Sequence, residues 1–193
     1  MERLLVTLFV LLFADRGQAA WTSPDFCHQQ QCPQYSVVET NKEFEVRLYV
    51  ATDWITTKVE STDVKGMMDV APSLYHICLS LPGYDIPLDT WPVLVTSTDN
   101  GAEYHLSWFV PPGITKPENT DANVRLQTRP EATVYVRVFG GTPGLESAEE
   151  NARILREALE RAGKSFDHSS YSGVGYDSYF SLTHHNELWI YAA

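Results

Sequence analysis

Alternating apolar and polar residues along the chain predict β-strands that follow one another in pairs. Phe44, Val46, Leu48 and Val50 alternate with polar positions, and residues 54–60 are typical of a returning strand. Three further pairs are predicted at 91–98 with 103–110, 124–129 with 133–139, and 171–182 with 187–191. In the second pair, Tyr104, Leu106, Trp108 and Val110 form the inward face. About eight antiparallel strands follow from this pattern.

Two segments have the period of an amphipathic helix. In residues 64–81 one face is apolar, and Pro72 predicts a kink or a restart because proline lacks an N–H donor. Around residues 147–163, Ser147 and Glu150 predict a capping box and Gly163 predicts the C-terminal stop. The predicted buried faces are Met67, Ala71, Leu74, Cys78 and Leu81 in the first helix, and Ala148, Ala152, Leu155, Leu159 and Ala162 in the second.

The order hairpin, helix, hairpin occurs twice, with a displacement of about 80 residues, which suggests two copies of one supersecondary unit. The residues of the two units match poorly, so a coincidental repeat stays an alternative. An α+β domain is predicted: a distorted antiparallel β-barrel of about eight strands, with one amphipathic helix against each half.

The first residues have the anatomy of a secretory signal peptide. An apolar run, Leu4–Phe13, follows Arg3, and small residues, Gly17 and Ala19, stand before a cleavage site. The run is shorter than the roughly 20 apolar residues that span a bilayer, although an uncleaved membrane anchor is an alternative. We expect a signal peptide at 1–19, a single domain at 20–193, no membrane span, and a secreted, extracellular location.

Charge and cysteines narrow the function further. Among 193 residues, 14 are Lys or Arg and 25 are Asp or Glu, and a net charge of −11 disfavours nucleic acid as a partner. In an oxidising compartment, Cys27 and Cys32 are expected to form a local disulfide, whereas Cys78 is expected to be a free, buried thiol. No zinc-site spacing is present in the sequence.

The sequence shows no catalytic motif, so we expect a protein that is not an enzyme. Gly173 and Gly175 lie within a strand pattern and predict a bulge or sharp twist. His184 and His185 could ligate a metal or haem, or belong to a solvated turn. The first helix, with its adaptable methionines, could line a pocket for a small apolar ligand or could simply fill the core.

Several ordered segments of the chain resemble the SOUL haem-binding protein family, over residues 32–191. The segments are Tyr35-Ser-Val-Val-Glu39, Phe44-Glu-Val-Arg47-Leu-Tyr49, Trp54 to Ser61, Thr133 to Gly140, Gly163-Lys164, and Gly175-Tyr-Asp-Ser178 through His185 to Trp189. The resemblance implies a distorted antiparallel barrel with two helices, built as a pseudo-duplication. This fold agrees with the repeat that the pattern predicts.

The resemblance also implies that the protein binds haem or a porphyrin without transforming it. The implied ligand face comprises Met67, Met68, Ala71, Leu74, Tyr75, Tyr179 and Phe180. Leu48 stands where some members carry a histidine proposed as the haem ligand, which leaves His184 or His185 as the possible axial partner and predicts weak binding. The alternative is an extracellular interaction protein that keeps the fold without binding haem.

Overall fold

One curled antiparallel sheet forms a half-barrel in the part of the chain that the structure describes. The computed structural model describes residues 21–59, 92–98, 101–113, 124–177 and 181–193. The strands are β1 (Tyr35–Thr40), β2 (Glu45–Tyr49), β3 (Thr52–Lys58), β4 (Val93–Thr98), β5 (Glu103–Val110), β6 (Val124–Arg129), β7 (Ala132–Phe139), β8 (Tyr171–Gly175) and β9 (Asn186–Tyr191). The helix α1 spans Leu145–Arg161, and a 3₁₀-helix spans Asp25–Cys27. The α+β class is confirmed.

The strands lie in the order β1-β2-β7-β9-β8-β4-β5-β3-β6, with antiparallel neighbours throughout. The predicted pairs β4 with β5 and β8 with β9 are confirmed. The other two predicted hairpins, 44–50 with 54–60 and 124–129 with 133–139, are wrong. β2 pairs with β1 and β7, and β3 pairs with β5 and β6. The two connections, Val50-Ala51 and Pro130-Glu131, lack the Asn or Gly residues that a two-residue hairpin needs.

The strand order has an internal symmetry. The edge strand β1 stands outside this symmetry. When β2, β3, β4 and β5 are exchanged with β6, β7, β8 and β9, respectively, the order of these eight strands is the same read in the opposite direction. A pseudo-twofold axis therefore lies between β4 and β8. The predicted hairpin partners are exchanged between the two sequence units: β2 of the first unit lies beside β7 of the second, and β6 of the second lies beside β3 of the first. The ninth strand, β1, was not predicted and adds to the edge beside β2. The predicted helix at 64–81, Cys78 and the predicted signal peptide lie outside the described residues.

Both faces of β2 are packed, which corrects the prediction that one face of this strand is in solvent. Phe44 and Val46 are buried on the outer face, as predicted, and Leu48 is half-buried. Arg47 and Tyr49, which the alternation assigns to solvent, are buried on the inner, concave face. A strand with only one covered face shows a simple two-residue period, and β2 departs from it because its second face is also packed.

Helix α1 packs on the outer face of β7, β9 and β8. Its buried residues are Ala148, Ala152, Leu155, Ala158 and Leu159, close to the predicted set, but Ala162 is exposed. The predicted capping box is wrong, because the helix begins at Leu145 with Gly144 as N-cap and without a side-chain cap. The Ser147 hydroxyl instead donates to the carbonyl of Gly144.

The predicted C-terminal stop of α1 is confirmed. Gly163 adopts a φ of 64°, in the left-handed region that favours glycine. Its N–H donates to the carbonyl of Glu160, and the Lys164 N–H donates to the carbonyl of Leu159. This pair of bonds is the Schellman arrangement, which satisfies carbonyls that the end of a helix would leave unpaired.

A second apolar cluster covers the outer face of the other half of the sheet. It includes the predicted inward face of β5, namely Tyr104, Leu106, Trp108 and Val110, together with Ile55, Val59, Val124, Val93, Val95 and Leu126. The pseudo-twofold axis relates this surface on β3, β5 and β4 to the one that α1 covers on β7, β9 and β8. Each half of the sheet therefore presents an apolar outer face.

The glycines of β8 allow a clean test of how tightly α1 packs. A Cβ placed on Gly173 would lie 3.2 Å from the Cβ of Ala148, whereas a Cβ on Gly175 would have no neighbour within 4 Å. Gly173→Ala is expected to lower the free energy of unfolding by about 1 to 2 kcal/mol, because the helix must shift outward. Urea titration checks this, with Gly175→Ala as the matched control; equal stabilities for the two variants would contradict the tight contact.

Candidate functional site

A buried ion pair occupies the concave face of the sheet. Glu187, in β9, has no exposed surface, and Arg47, in β2, is 2% exposed. The Nη1 of Arg47 lies 2.9 Å from the Oε1 of Glu187, and the Nε of Arg47 lies 2.8 Å from the Oε2 of Glu45. The two strands flank β7, so the pair bridges over that strand. A charge buried this deeply requires such partners, because water cannot solvate it.

Glu187 accepts further hydrogen bonds around the same carboxylate. Oε2 accepts from the Tyr176 hydroxyl at 2.9 Å and from the Trp189 indole N–H at 2.7 Å, and Oε1 lies 3.0 Å from the Nε2 of His185. Burial alone would raise the pKa of Glu187, but the His185 hydrogen bond, the Arg47 charge and the Trp189 N–H together hold that pKa below its ordinary value. The carboxylate is therefore charged at neutral pH.

Two tyrosines complete this buried cluster. The Tyr49 hydroxyl accepts a hydrogen bond from Arg47 at 3.1 Å, and Tyr176 donates to Glu187. Burial raises the pKa of both Tyr49 and Tyr176 well above the ordinary tyrosine value. Both phenols stay protonated at neutral pH. The cluster is satisfied internally and offers structural anchoring more than chemical reactivity.

The N-terminal segment covers one end of the concave face. The predicted disulfide is formed between Cys27 and Cys32, and both cysteines are buried in the same apolar cluster as Tyr49 and Trp189. The Phe26 ring packs against Tyr176 and His185, at the two ends of the connection between β8 and β9. The chain thus fills this part of its own concave face.

The predicted ligand-face residues cannot be placed, because they lie outside the described residues: Met67, Met68, Ala71, Leu74, Tyr75, Tyr179 and Phe180. Both predicted axial histidines are described, and they differ. His185 is engaged at Nε2 by Glu187 and is stacked on the Phe26 ring at 3.9 Å. The Nδ1 of His184 is buried, and none of the residues that the structure describes forms a hydrogen bond with it. Of the two histidines, His184 has the nitrogen that the described residues leave unsatisfied.

Sequence reasoning missed the polar half of the cluster. Arg47 and Glu187 each sit in an alternating strand, where a charged residue normally indicates the solvent face. Their separation of 140 positions gave no local signal of pairing. The one available hint was aromatic: Tyr49 and Trp189 occupy the same face as the charges and are too large and apolar to be left in solvent.

The described residues contain neither a cluster of metal ligands nor a membrane-spanning helix. Within the ranges that the structure describes, no group of three or more His, Cys, Asp or Glu side chains could hold a metal ion. None of the helices in that part of the chain is long and apolar enough to cross a bilayer.

The buried carboxylate predicts a specific loss of stability in acid. Because the pKa of Glu187 is lower in the folded than in the unfolded chain, its contribution is present above the ordinary pKa of about 4.3 and is lost as the pH falls through the folded value. Urea midpoints from pH 7 to 3 should fall steeply in the wild type. Glu187→Gln should be less stable at pH 7 by about 3 kcal/mol, since Arg47 loses its fully buried counter-charge and keeps only the partly exposed Glu45, and its acid limb should be flatter.

The matched control for this prediction is Glu131→Gln, at an exposed glutamate. This variant should keep the wild-type stability at pH 7 and the wild-type acid limb. If Glu187→Gln were as steeply acid-sensitive as Glu131→Gln, the carboxylate of Glu187 would not be the group whose protonation destabilises the fold.

Known proteins resemble this chain in sequence, and a solved structure resembles it in fold. Heme-binding protein 2 of Homo sapiens is 24% identical over 157 residues, and the Mus musculus protein of the same name is 26% identical over 165 residues. Each match covers 76% of this chain and 77% of the relative. A solved structure described as a hydrolase from Listeria innocua has a TM-score of 0.55 at 13% identity, covering 81% of this chain and 94% of that chain, and shows a likeness of fold alone.

A family model gives the broadest match. The model described as SOUL heme-binding protein matches residues 30–191, which includes every strand and the helix α1. The resemblance inferred from separate sequence segments is confirmed over nearly the same range. Because the match spans most of the 193 residues, this chain belongs to the SOUL heme-binding protein family.

Proposed function

We propose that this protein is a secreted, non-catalytic binding protein for haem or a closely related porphyrin. The observation that carries the proposal is the family match over residues 30–191, and the names of the human and mouse relatives point to the same ligand. A flat, largely apolar macrocycle is the small ligand that this family assignment favours. The net charge of −11 supports a partner other than nucleic acid.

The disulfide supports the secreted location. Disulfides persist in oxidising compartments and are rare where thiols are kept reduced, and Cys27 and Cys32 are bridged. The apolar run Leu4–Phe13 supports the same location, since its length and flanking residues are typical of a signal peptide. Residues 1–19 are accordingly proposed to be removed, which leaves a mature domain that begins at Ala20.

The ligand face is proposed on the segment 64–81, with the residues that the family resemblance implies. The apolar outer face of β3, β5 and β4 supports this placement, because it is related by the pseudo-twofold axis to the surface that α1 covers. A helix of the first unit would pack there. Because Pro72 interrupts this helix, part of its apolar face, above all Met67 with the adjacent Met68, would be left to face a ligand, for which the flexible thioether side chains are well suited.

The different surroundings of His184 and His185 favour His184 as the axial ligand. The iron of a bound haem can accept one nitrogen ligand on each face, and the buried Nδ1 of His184 has no hydrogen-bond partner within the described ranges. His185 is held by Glu187 and Phe26. Leu48 offers no ligand at the position where some family members carry a histidine. We therefore propose weak binding through the apolar face of the ring, with His184 as the axial residue.

Titration with haem and with metal-free protoporphyrin tests the ligand face. Met67→Glu should abolish saturable binding of both ligands, because it places a charge against the apolar ring. The control is Val38→Glu, which adds the same charge at a side chain that is 65% exposed on β1 and should bind both ligands like the wild type. If Met67→Glu bound both as tightly as Val38→Glu, the proposed face would be wrong.

A second variant tests the axial residue separately. His184→Ala should shift the Soret band of the haem complex and leave the affinity for metal-free protoporphyrin unchanged, because only the iron uses the imidazole. His168→Ala, at an exposed loop histidine, should change neither. An unchanged Soret band in His184→Ala would contradict axial ligation by this residue while leaving the ligand face intact.

One alternative function has a specific observation in its favour. Leu48 replaces the histidine of some members, which suggests an extracellular interaction protein that kept the fold and lost haem binding. The same titration separates the two functions. A wild-type chain without a saturable signal for either ligand would contradict tetrapyrrole binding and favour the alternative.

A further inference from the structure

The disulfide loop near the N-terminus contacts one particular connection of the sheet. We call residues 25–32 the clamp; it faces the connection between β8 and β9. The Nε2 of His28 lies 2.8 Å from the Oδ1 of Asp177, at the start of this connection. The other oxygen of the same carboxylate, Oδ2, accepts the backbone N–H of His185 at 2.6 Å, at the end of the connection. One carboxylate thus joins the clamp to both ends.

A second contact acts on the same two ends. The ring of Phe26 lies parallel to the imidazole of His185, with centroids 3.9 Å apart and an interplanar angle of 3°. Its edge contacts the ring of Tyr176, with centroids 4.8 Å apart. Phe26 therefore holds His185 in the orientation in which its Nε2 reaches Glu187. The clamp presents one polar and one aromatic group to the connection.

The clamp itself is conformationally restricted. The disulfide closes it between Cys27 and Cys32, and the N–H of Gln30 donates to the carbonyl of Cys27 at 2.8 Å. His28 and Gln29 have φ values of 53° and 67°, which residues with a Cβ rarely adopt unless their surroundings impose it. A loop fixed in this way loses little conformational entropy when it contacts the sheet.

The clamp residues that make these contacts stand outside the family domain. The family match begins at residue 30, whereas Phe26, Cys27 and His28 precede it. We infer that the clamp is a positioning element added in front of the family domain: it fixes the connection between β8 and β9, and with it the setting of His184. That this setting controls tetrapyrrole affinity rests on the proposed function.

Hydrogen exchange in the ligand-free protein tests the positioning role. In His28→Ala the backbone amide of His185 should exchange about tenfold faster than in the wild type, because Asp177 loses the partner that holds it in place. The urea midpoint should change little, since the side chain of His28 is 53% exposed. His28→Gln should restore slow exchange, because its amide can again donate to Asp177.

Two further variants make the result decisive. Phe26→Ala removes the stacked ring and should also speed exchange at His185, whereas His168→Ala, a histidine outside the clamp, should not. If the amide of His185 exchanged at the wild-type rate in both His28→Ala and Phe26→Ala, the clamp would not position the connection and the inference would be overturned.

The ligand arm separates this inference from the proposed function. The dissociation constant of haem should rise about fivefold in His28→Ala, because His184 is held less firmly, whereas that of metal-free protoporphyrin should stay unchanged, because only the iron uses the imidazole. An unchanged haem affinity together with fast exchange would overturn the link from clamp to ligand. A wild-type chain that binds neither ligand would contradict the proposed function alone, because the exchange measurement requires no ligand.

Discussion

The buried charge of Glu187 constrains how β2, from the first half of the sequence, is joined to β7 and β9, from the second half. Its carboxylate receives hydrogen bonds or a charge contact from Arg47, Tyr176, His185 and Trp189. Arg47 can reach it only because β2 lies beside β7, and β7 beside β9. Had β2 formed the local hairpin with β3, Glu187 would be buried without a cation, which costs several kcal/mol. The ion pair therefore favours the exchanged strand order over the local one.

The parts of the fold that sequence could predict depend on local chemistry. The hairpin of β4 and β5 is connected through Gly101, the C-terminus of α1 is set by Gly163, and the disulfide joins cysteines five positions apart. Each of these features is determined within a few residues. The pairing of β2 with β7 is not: the connection Val50-Ala51 disfavours a hairpin with β3, but nothing near β2 identifies β7 as the partner. The burial of Arg47 was equally hidden, since charge in an alternating strand normally marks a solvent face.

In the candidate site, too, features that depend on neighbouring residues could be predicted and features that depend on distant partners could not. Its apolar ligand face is predicted from the family resemblance, which depends on short segments of neighbouring residues, since helical periodicity alone is equally typical of a core-filling helix. The roles of the two adjacent histidines could not be predicted, because they depend on distant partners: His185 is held by Glu187 and by Phe26, from the other end of the chain. The N-terminal segment is packed into the concave face, and the proposed ligand face is on the outer, helix-bearing side. Under the proposed function, anchoring and binding use opposite faces of one sheet.

A double-mutant cycle on Arg47 and Glu187 measures the coupling on which this arrangement depends. Arg47→Met and Glu187→Gln should each lower the free energy of unfolding by about 3 kcal/mol, because each removes one side of the buried Arg47–Glu187 pair and leaves the other group buried. The double variant should lose much less than the sum of the two, with a coupling energy of at least about 2 kcal/mol at pH 7. Losses that simply add would contradict the claim that this ion pair ties β2 to β9 across β7.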